Sequence, residues 1–516
     1  MDQQHIESTK RVAKNTLFLY GRMLLGMLVA LYTSRVILNA LGVEDFGIYG
    51  VVGGLVAMFS IVSGSLQASI TRYLTFELGT ANFEKLKHTF SAAFFIQILL
   101  ALTIFILGET IGLWILNSIL NIPENRLFAA NIVFQASLFS FMLGLVLMPY
   151  NACINAHERM NVYAYLGLLD IGMKLAIVLF VAYAPFDFDK LIMYSLLLVG
   201  VGVLMQIISV AYCRRNFGET KVMPSFNRDI MKSMLGFAGW NFIGASSALL
   251  RDTGSNILLN IFFGPVVNAA RGVAGSVSNA VGGFTGNFNA AVNPQITKSY
   301  ASHDYDYMFS LIYRSAKFGF LLTLIFAMPI FFNTESILFL WLGEVPDYSI
   351  GFVQLILIFS LIETVSSPLI TVQLATGNIR NYQLVVGGLQ TLNFPLSWIF
   401  LWVGLNPYSV FVIAIIISLL CLIARLLFLK NLIGLDIRSY CNRVLLPCIL
   451  VATISSIVAY FSDGLKIDEN ILNLFLRILI CIIGTCVPAF FIGCTSNERD
   501  FMLDKLRLVK KKIIFS

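Results

Sequence analysis

The sequence predicts an all-α polytopic membrane protein with about 14 transmembrane helices, in two pseudo-symmetric six-helix lobes followed by two further helices. Three observations carry this expectation. Of 516 residues, 58% are hydrophobic and 12% charged, and the mean hydropathy is +0.82, which excludes a water-soluble globule of this length. Apolar runs of about 20 residues, enough to cross a bilayer as a helix, recur from end to end. Finally, Ser34, Asn39, Gly42, Gly50, Gly53 and Gly64 return as Ser255, Asn260, Gly264, Gly272, Gly275 and Gly286, at an offset of 221 or 222 residues.

Lys10, Arg11 and Lys14 precede the first apolar run, and no small-residue cleavage site follows it, so it reads as a first transmembrane helix and not a removable signal peptide. Spans are expected near residues 15–38, 46–68, 88–108, 127–151, 161–184, 191–212, 234–261, 266–294, 309–332, 350–376, 382–404, 408–430, 442–462 and 470–494. Gly and Ser dilute the second and eighth. The hydrophilic segment after the sixth span carries Arg214, Arg215, Lys221 and Arg228 and reads as a cytoplasmic linker. The expected divisions are an N-terminal lobe at 1–213, the linker at 214–229, a C-terminal lobe at 230–430, and two extra helices with a basic tail at 431–516. Because each lobe has an even number of spans, both share one orientation about an axis along the membrane normal.

Charge distribution tests the layout independently of hydropathy. With a cytoplasmic N-terminus, inside loops, tails and helix ends collect 26 of the 35 Lys and Arg residues, the outside loops keep Arg126, Lys190 and Lys466, and six remain within spans. Acids show the opposite bias, with Glu44, Asp45, Asp187, Asp189, Glu335, Glu344, Asp347, Asp468 and Glu469 outside. Both termini are therefore expected in the cytoplasm. The formal charge of +7 reports orientation and not affinity for nucleic acid. The eight cysteines show no CxxC pair and no partner histidines at metal spacing, so they read as structural thiols with no metal site.

The six cations within spans are Arg22, Arg35, Lys174, Arg251, Arg271 and Arg477. A charge at the bilayer centre costs about 2.5–3.5 kcal/mol on insertion scales, so each needs a reason. Arg35 and Arg477 lie near outer ends, where they can snorkel to water. Arg251 falls near the midplane, with Arg22 about 6 Å to its cytoplasmic side and Arg271 about 8 Å to its outer side, a ladder of positive charge. Gly244, Ser247, Gly254 and Ser255 share the Arg251 side of their helix; Gly275, Ser278, Gly282, Gly286, Asn289 and Asn293 share the Arg271 side. Such stripes line a wet cavity or serve close helix packing, and the arginines favour the cavity.

Among the acids, Asp170 precedes Lys174 by four residues, the favourable order for an ion pair on one helix face. Asp252 adjoins Arg251 but points about 100° away around a regular helix, so another partner is expected. Glu363 shares a face with Ser360, Ser366 and Ser367 and has no basic neighbour in sequence. Each acid is a candidate for proton or cation coupling or for a neutralising network. Prolines at 149, 329, 368, 395, 447 and 488 loosen the backbone within spans.

The run from Asn15 to Gly79, above all SRVILNALGVEDFGIYGVV with Gly42, Phe46, Gly47 and Tyr49, resembles the start of Wzx-type polysaccharide flippases of the multidrug/oligosaccharidyl-lipid/polysaccharide (MOP) exporter superfamily. The resemblance implies a V-shaped, MATE-like bundle that moves undecaprenyl-pyrophosphate-linked oligosaccharide across the bacterial cytoplasmic (inner) membrane for O-antigen, lipopolysaccharide or other surface polysaccharide. It implies cavity cations at Arg22, Arg251 and Arg271, and a lipid groove near the two extra helices. Implied partners are the lipid-linked glycan, membrane lipids, and glycosyltransferases and polymerase of the same pathway. No cofactor is expected; an H+ or Na+ gradient is the candidate energy source.

The chemistry agrees with that expectation. A pyrophosphate is anionic and a hydrated sugar chain does not cross hydrocarbon, so positive charge and a wet path must be supplied. Guanidinium groups bind phosphate through forked hydrogen bonds, and Lys174 can add a point charge. A drug or cation antiporter of the same fold is the alternative, but it wants an acidic, aromatic cavity. A glycan-assembly enzyme is less favoured, because the short outside loops hold no His near a carboxylate or nucleophile. A non-transporting scaffold leaves the midplane charges unexplained.

Overall fold

The computed structural model describes residues 18–500 except 31, 34–35, 38, 43–44, 46–47, 50–51, 54–55, 57–59, 119–121, 184–187, 222–223, 343–344, 464–470 and 497. Arg35, Ser34, Gly50, Phe46 and Gly47, the outside residues Glu44, Asp187, Glu344, Lys466, Asp468 and Glu469, and the basic terminal residues lie outside this set.

The protein is all-α, with no strand among the described residues. Among the described residues, ten helices are long and apolar enough to cross a membrane: Phe83–Ser118, Glu124–Val146, Met160–Tyr183, Lys190–Asn216, Tyr305–Phe332, Ser349–Thr376, Arg380–Trp402, Tyr408–Ile433, Ile437–Phe461 and Leu472–Gly493. Each matches one expected span. The four expected spans missing from this set are the first, second, seventh and eighth. The first two fall partly outside the described residues, which hold Phe18–Ala30 and Ser60–Gly79 as helices. The other two are helical but diluted by Gly, Ser, Asn and charge: Arg228–Leu249 continues through Leu250–Gly254 into Ser255–Phe263, and Pro265–Ala301 follows.

Local chemistry sets the helix ends. Asp189 caps Lys190–Asn216 by accepting from the Leu191 and Ile192 amides at 3.0 and 3.2 Å, and Asn227 accepts from the Ile230 amide at 3.2 Å. The expected span at 127–151 is interrupted at Leu147, where Pro149, lacking an amide hydrogen, occupies the first turn of a new helix, Met148–Ala156. Pro329 and Pro368, in contrast, stay inside continuous helices. Gly42 and Gly264, 222 residues apart, both adopt left-handed backbone, at φ +82° and +80°. Both halves of the repeat thus turn on a glycine at the same place, where a β-carbon would be strained.

The chain forms two compact units. The first comprises 1–246 with 293–305 and 374–379; the second comprises 247–292, 306–373 and 380–516. In the first, Glu124–Val146 packs on Lys190–Asn216, and Ser60–Gly79 on Met148–Ala156. Its interior combines Phe90, Phe134 and Tyr150 with Ala92, Ala93, Ala129, Ala130, Ala152 and Ala156. Lipid tails are as apolar as these side chains, so close van der Waals fit, which small residues permit, holds such helices together. In the second unit Ile437–Phe461 packs on Leu472–Gly493, and a separate core gathers Leu258, Leu259, Val267, Ala270, Phe352 and Val353.

Candidate functional site

The second unit holds the principal charge cluster. Residues Leu250–Gly254 form a single widened π-turn within an otherwise α-helical stretch, and Arg251 and Asp252 lie in it. Such turns concentrate at functional positions. Arg251 Nε and Nη2 each donate to the Asp252 carboxylate at 3.1 Å. This corrects the expectation that Asp252 points away to another partner. A widened turn reduces the angle between successive residues, and the long arginine stem folds back over it. Arg251 is largely covered, with 14% of its side chain exposed, whereas Asp252 is 60% exposed.

Arg271, on Pro265–Ala301, donates from Nη2 to the Asp252 carbonyl at 2.7 Å. The two guanidinium groups also sit by aromatic faces, Arg251 at 4.8 Å from the Phe359 centroid and Arg271 at 5.9 Å from Phe411. Arg251, Asp252 and Arg271 therefore form one cluster, closer together than a reckoning by depth along the helices suggests.

Glu363 belongs to an adjoining network. It accepts from Ser418 Oγ at 2.5 Å and pairs with Arg425 at 3.8 Å, while Arg425 Nε reaches Tyr382 Oη at 3.4 Å. The Arg425 side chain is almost wholly buried, and both it and Glu363 lie within electrostatic reach of Arg251. Sequence reasoning counted Arg425 with the inner helix end and left Glu363 without a basic neighbour. The signal was available: Arg425 falls in the middle of the apolar run Ser418–Phe428.

The polar stripe on Pro265–Ala301 divides in two. Ser278 meets Ser360 at 3.3 Å, and Asn289 donates to Ser367 at 2.9 Å, so these serve helix contact. Beside Gly275, Gly282 and Gly286 no described atom lies within 4 Å of where a β-carbon would stand. Those three border open space, which close packing does not explain. Gly254, on the other stripe, is pressed against Phe394.

In the first unit, Arg22 lies over the Tyr163 ring at 4.7 Å and against Gly167, where a β-carbon would overlap its stem. Tyr163 and Gly167 are on Met160–Tyr183, which also carries Asp170 and Lys174, joined at 2.8 Å. Two polar groups there were not anticipated. Glu158, with left-handed backbone at φ +58°, pairs with Lys298 at 2.6 Å and accepts from Gln295 at 3.0 Å. Arg72 stacks on Tyr73 and Phe76 and donates to the Ala375 carbonyl at 2.8 Å. Both tie chain segments far apart in sequence, which spacing does not reveal. Arg126 bridges Asp45 and Asp189, three residues that charge counting placed on the same side.

Comparison with solved structures places this architecture. A multidrug-resistance MATE family transporter of the MOP superfamily, in an outward-facing conformation, superposes with TM-score 0.67 at 14% identity, over 82% of this chain and 96% of that one. MATE in the straight conformation gives 0.70 at 13% identity, over 83% and 96%. A MOP superfamily transporter from Pyrococcus furiosus, described as having a binding pocket of reverse polarity that suggests a different function, gives 0.68 at 14% identity, over 82% and 96%. The fold is therefore that of MOP superfamily transporters, and the protein is a multi-span membrane protein. No curated protein sequence matches the chain. The profile of the family described as "Polysaccharide biosynthesis protein" matches residues 12–303, more than half of the 516. The chain belongs to the polysaccharide biosynthesis protein family.

Proposed function

We propose that the protein is a flippase that moves a polyprenyl-pyrophosphate-linked oligosaccharide across the bacterial cytoplasmic membrane. The observation that carries this reading is the Arg251–Asp252–Arg271 cluster, two guanidinium groups from separate helices converging on one residue. Asp252 pairs with Arg251; a pyrophosphate arriving from the inner leaflet exchanges with that carboxylate and takes both guanidinium groups as forked donors. The open side of Gly275, Gly282 and Gly286 leaves room for the sugar chain, while the lipid tail stays in the bilayer.

Counting Arg425, the cluster and its neighbouring network hold three cations against Asp252 and Glu363. That balance favours an anionic headgroup over the cationic drugs of an antiporter. Arg22 and Lys174 are the candidate headgroup-binding cations of the first half, and the lobes at 1–213 and 230–430 alternate access between inward and outward states. Glu363, paired with buried Arg425, is the candidate coupling group for an H+ or Na+ gradient. Both termini are cytoplasmic in this reading, and the helices after residue 431 guide the lipid.

Deleting the protein in cells lacking a paralogue tests the proposal. Lipid-linked glycan should accumulate on the cytoplasmic face; normal surface polysaccharide would overturn the reading.

A further inference from the structure

A second cluster of ligating side chains lies in the first unit. Cys153 and His157 stand one turn apart at the end of Met148–Ala156, with His157 in the capping position. The turn Gly218–Lys221 brings Glu219 against them. His157 Nε2 lies 2.5 Å, and Cys153 Sγ 3.2 Å, from the same carboxylate oxygen of Glu219. All three donor atoms fall within 4.8 Å of one another. Cys213, from the last turn of Lys190–Asn216, has its Sγ 3.5 Å from the Tyr150 carbonyl and lies within electrostatic reach of Cys153 and Glu219. Phe217 stacks on the imidazole, with centroids 4.0 Å and planes 9° apart, and fixes the ring with Nε2 toward Glu219.

The carboxylate is the informative member. Glu219 is buried, and among the described residues no Lys or Arg ion-pairs with it; its partners are an imidazole and a thiol. A buried carboxylate whose one basic partner, His157, is a cation only when protonated keeps much of its desolvation cost. A metal ion supplies that cation with a donor set of soft sulfur, borderline nitrogen and hard oxygen, which suits zinc. Tetrahedral zinc with bonds of about 2.0–2.3 Å spaces its ligands by about 3.3–3.8 Å, so the present donors need to part by only about 1 Å.

We propose that Cys153, His157 and Glu219 form a Zn2+ site, which Cys213, whose Sγ lies outside that 4.8 Å cluster, completes by moving in as the fourth ligand. On binding, the His157–Glu219 hydrogen bond opens, neutral His157 gives its Nε2 lone pair to the metal after passing its proton to Nδ1, and each cysteine releases its thiol proton to water. The ion staples the turn after the sixth span to the short helix before the fifth.

The test uses full-length protein purified in detergent, stripped with chelator and titrated with Co2+, then Zn2+. The expected result is one Co2+ per chain, a thiolate-to-cobalt charge-transfer band with tetrahedral visible bands, and their loss on adding Zn2+. Cys153→Ser should reduce the charge-transfer band, and His157→Gln should weaken binding at least about 10-fold. Cys213→Ser should remove a further share of the band; an unchanged band would overturn the role of Cys213. Absence of the cobalt spectrum in the wild-type protein would overturn the site. Because the wild-type spectrum alone decides the question, misfolding of a variant does not obscure it. A Zn2+-induced rise in melting temperature in wild type and none in His157→Gln is the second expected readout, and equal rises would overturn it.

Discussion

Lys174 in the first half and Arg251 in the second each have a carboxylate beside them, yet the two pairs differ in kind. Asp170 and Lys174 meet across one helical turn, as their four-residue spacing dictates, and both remain partly exposed. Arg251 is largely covered, its carboxylate is the next residue in the chain, and a second guanidinium reaches the same residue's backbone. The first arrangement is a self-sufficient pair that any helix could carry. The second leaves surplus positive charge close to Phe359 and Phe411. The difference teaches that position within an apolar run does not by itself distinguish a charge, whereas convergence from separate helices brings like charges together at one residue.

Substitutions can break this contrast. The largest effect is expected for Arg251→Ala, which removes a charge-assisted hydrogen-bond partner and should lower glycan export about 10- to 100-fold. Arg251→Lys should retain part of the activity as a point charge without the fork. Wild-type export by the alanine variant would remove Arg251 from the mechanism. Next, Glu363→Gln should abolish the dependence of export on an H+ gradient and lower the melting temperature, because buried Arg425 loses its carboxylate partner. Gradient dependence equal to wild type would clear Glu363 of a coupling role.

A smaller effect is expected from Lys174→Ala. Pairs at this spacing contribute about 0.2–0.5 kcal/mol, so stability should barely move, and export should fall less than in Arg251→Ala. A loss as large as that of Arg251→Ala would make the first half an equal contributor to headgroup binding.

The smallest effect concerns Asp189, outside the membrane. Burial raises its pKa, but the Arg126 hydrogen bond and the Ile192 and Leu191 amides outweigh this and hold it below the usual carboxylate range. A lowered folded-state pKa means that the stabilisation is complete at neutral pH and is lost as pH falls below about 4. Asp189→Asn should therefore melt slightly below wild type at pH 7, with the gap closing in acid. A gap that widens in acid would contradict this assignment.

How much of this was legible in the sequence follows from how each feature is encoded. Ten spans were legible because their apolar runs are uninterrupted. The repeat was legible through small residues, and the left-handed Gly42 and Gly264 give it a backbone meaning. Arg251 and Arg271 were legible as costly charges, and Asp170 with Lys174 as a helical pair. The partner of Asp252 is not legible, because regular α-helix points it away from Arg251 and a π-turn leaves no obvious composition signal. Long apolar runs end gradually, so Arg425, about five turns into Tyr408–Ile433, reads from the sequence as part of the inner helix end. The partner of Glu363 is 62 residues from it in the chain, and the partner of Cys153 and His157 is similarly remote; such meetings are made by tertiary packing alone.

The widened turn at Leu250–Gly254 has one more consequence. It adds one residue to its loop of the helix, so everything beyond it is rotated relative to everything before it. Deleting Thr253 would let the ladder close to ordinary α-register and swing the carbonyl of Asp252 away from Arg271, with every charged side chain still present. The meeting of the two arginines is thus set by the length of the chain as much as by its chemistry.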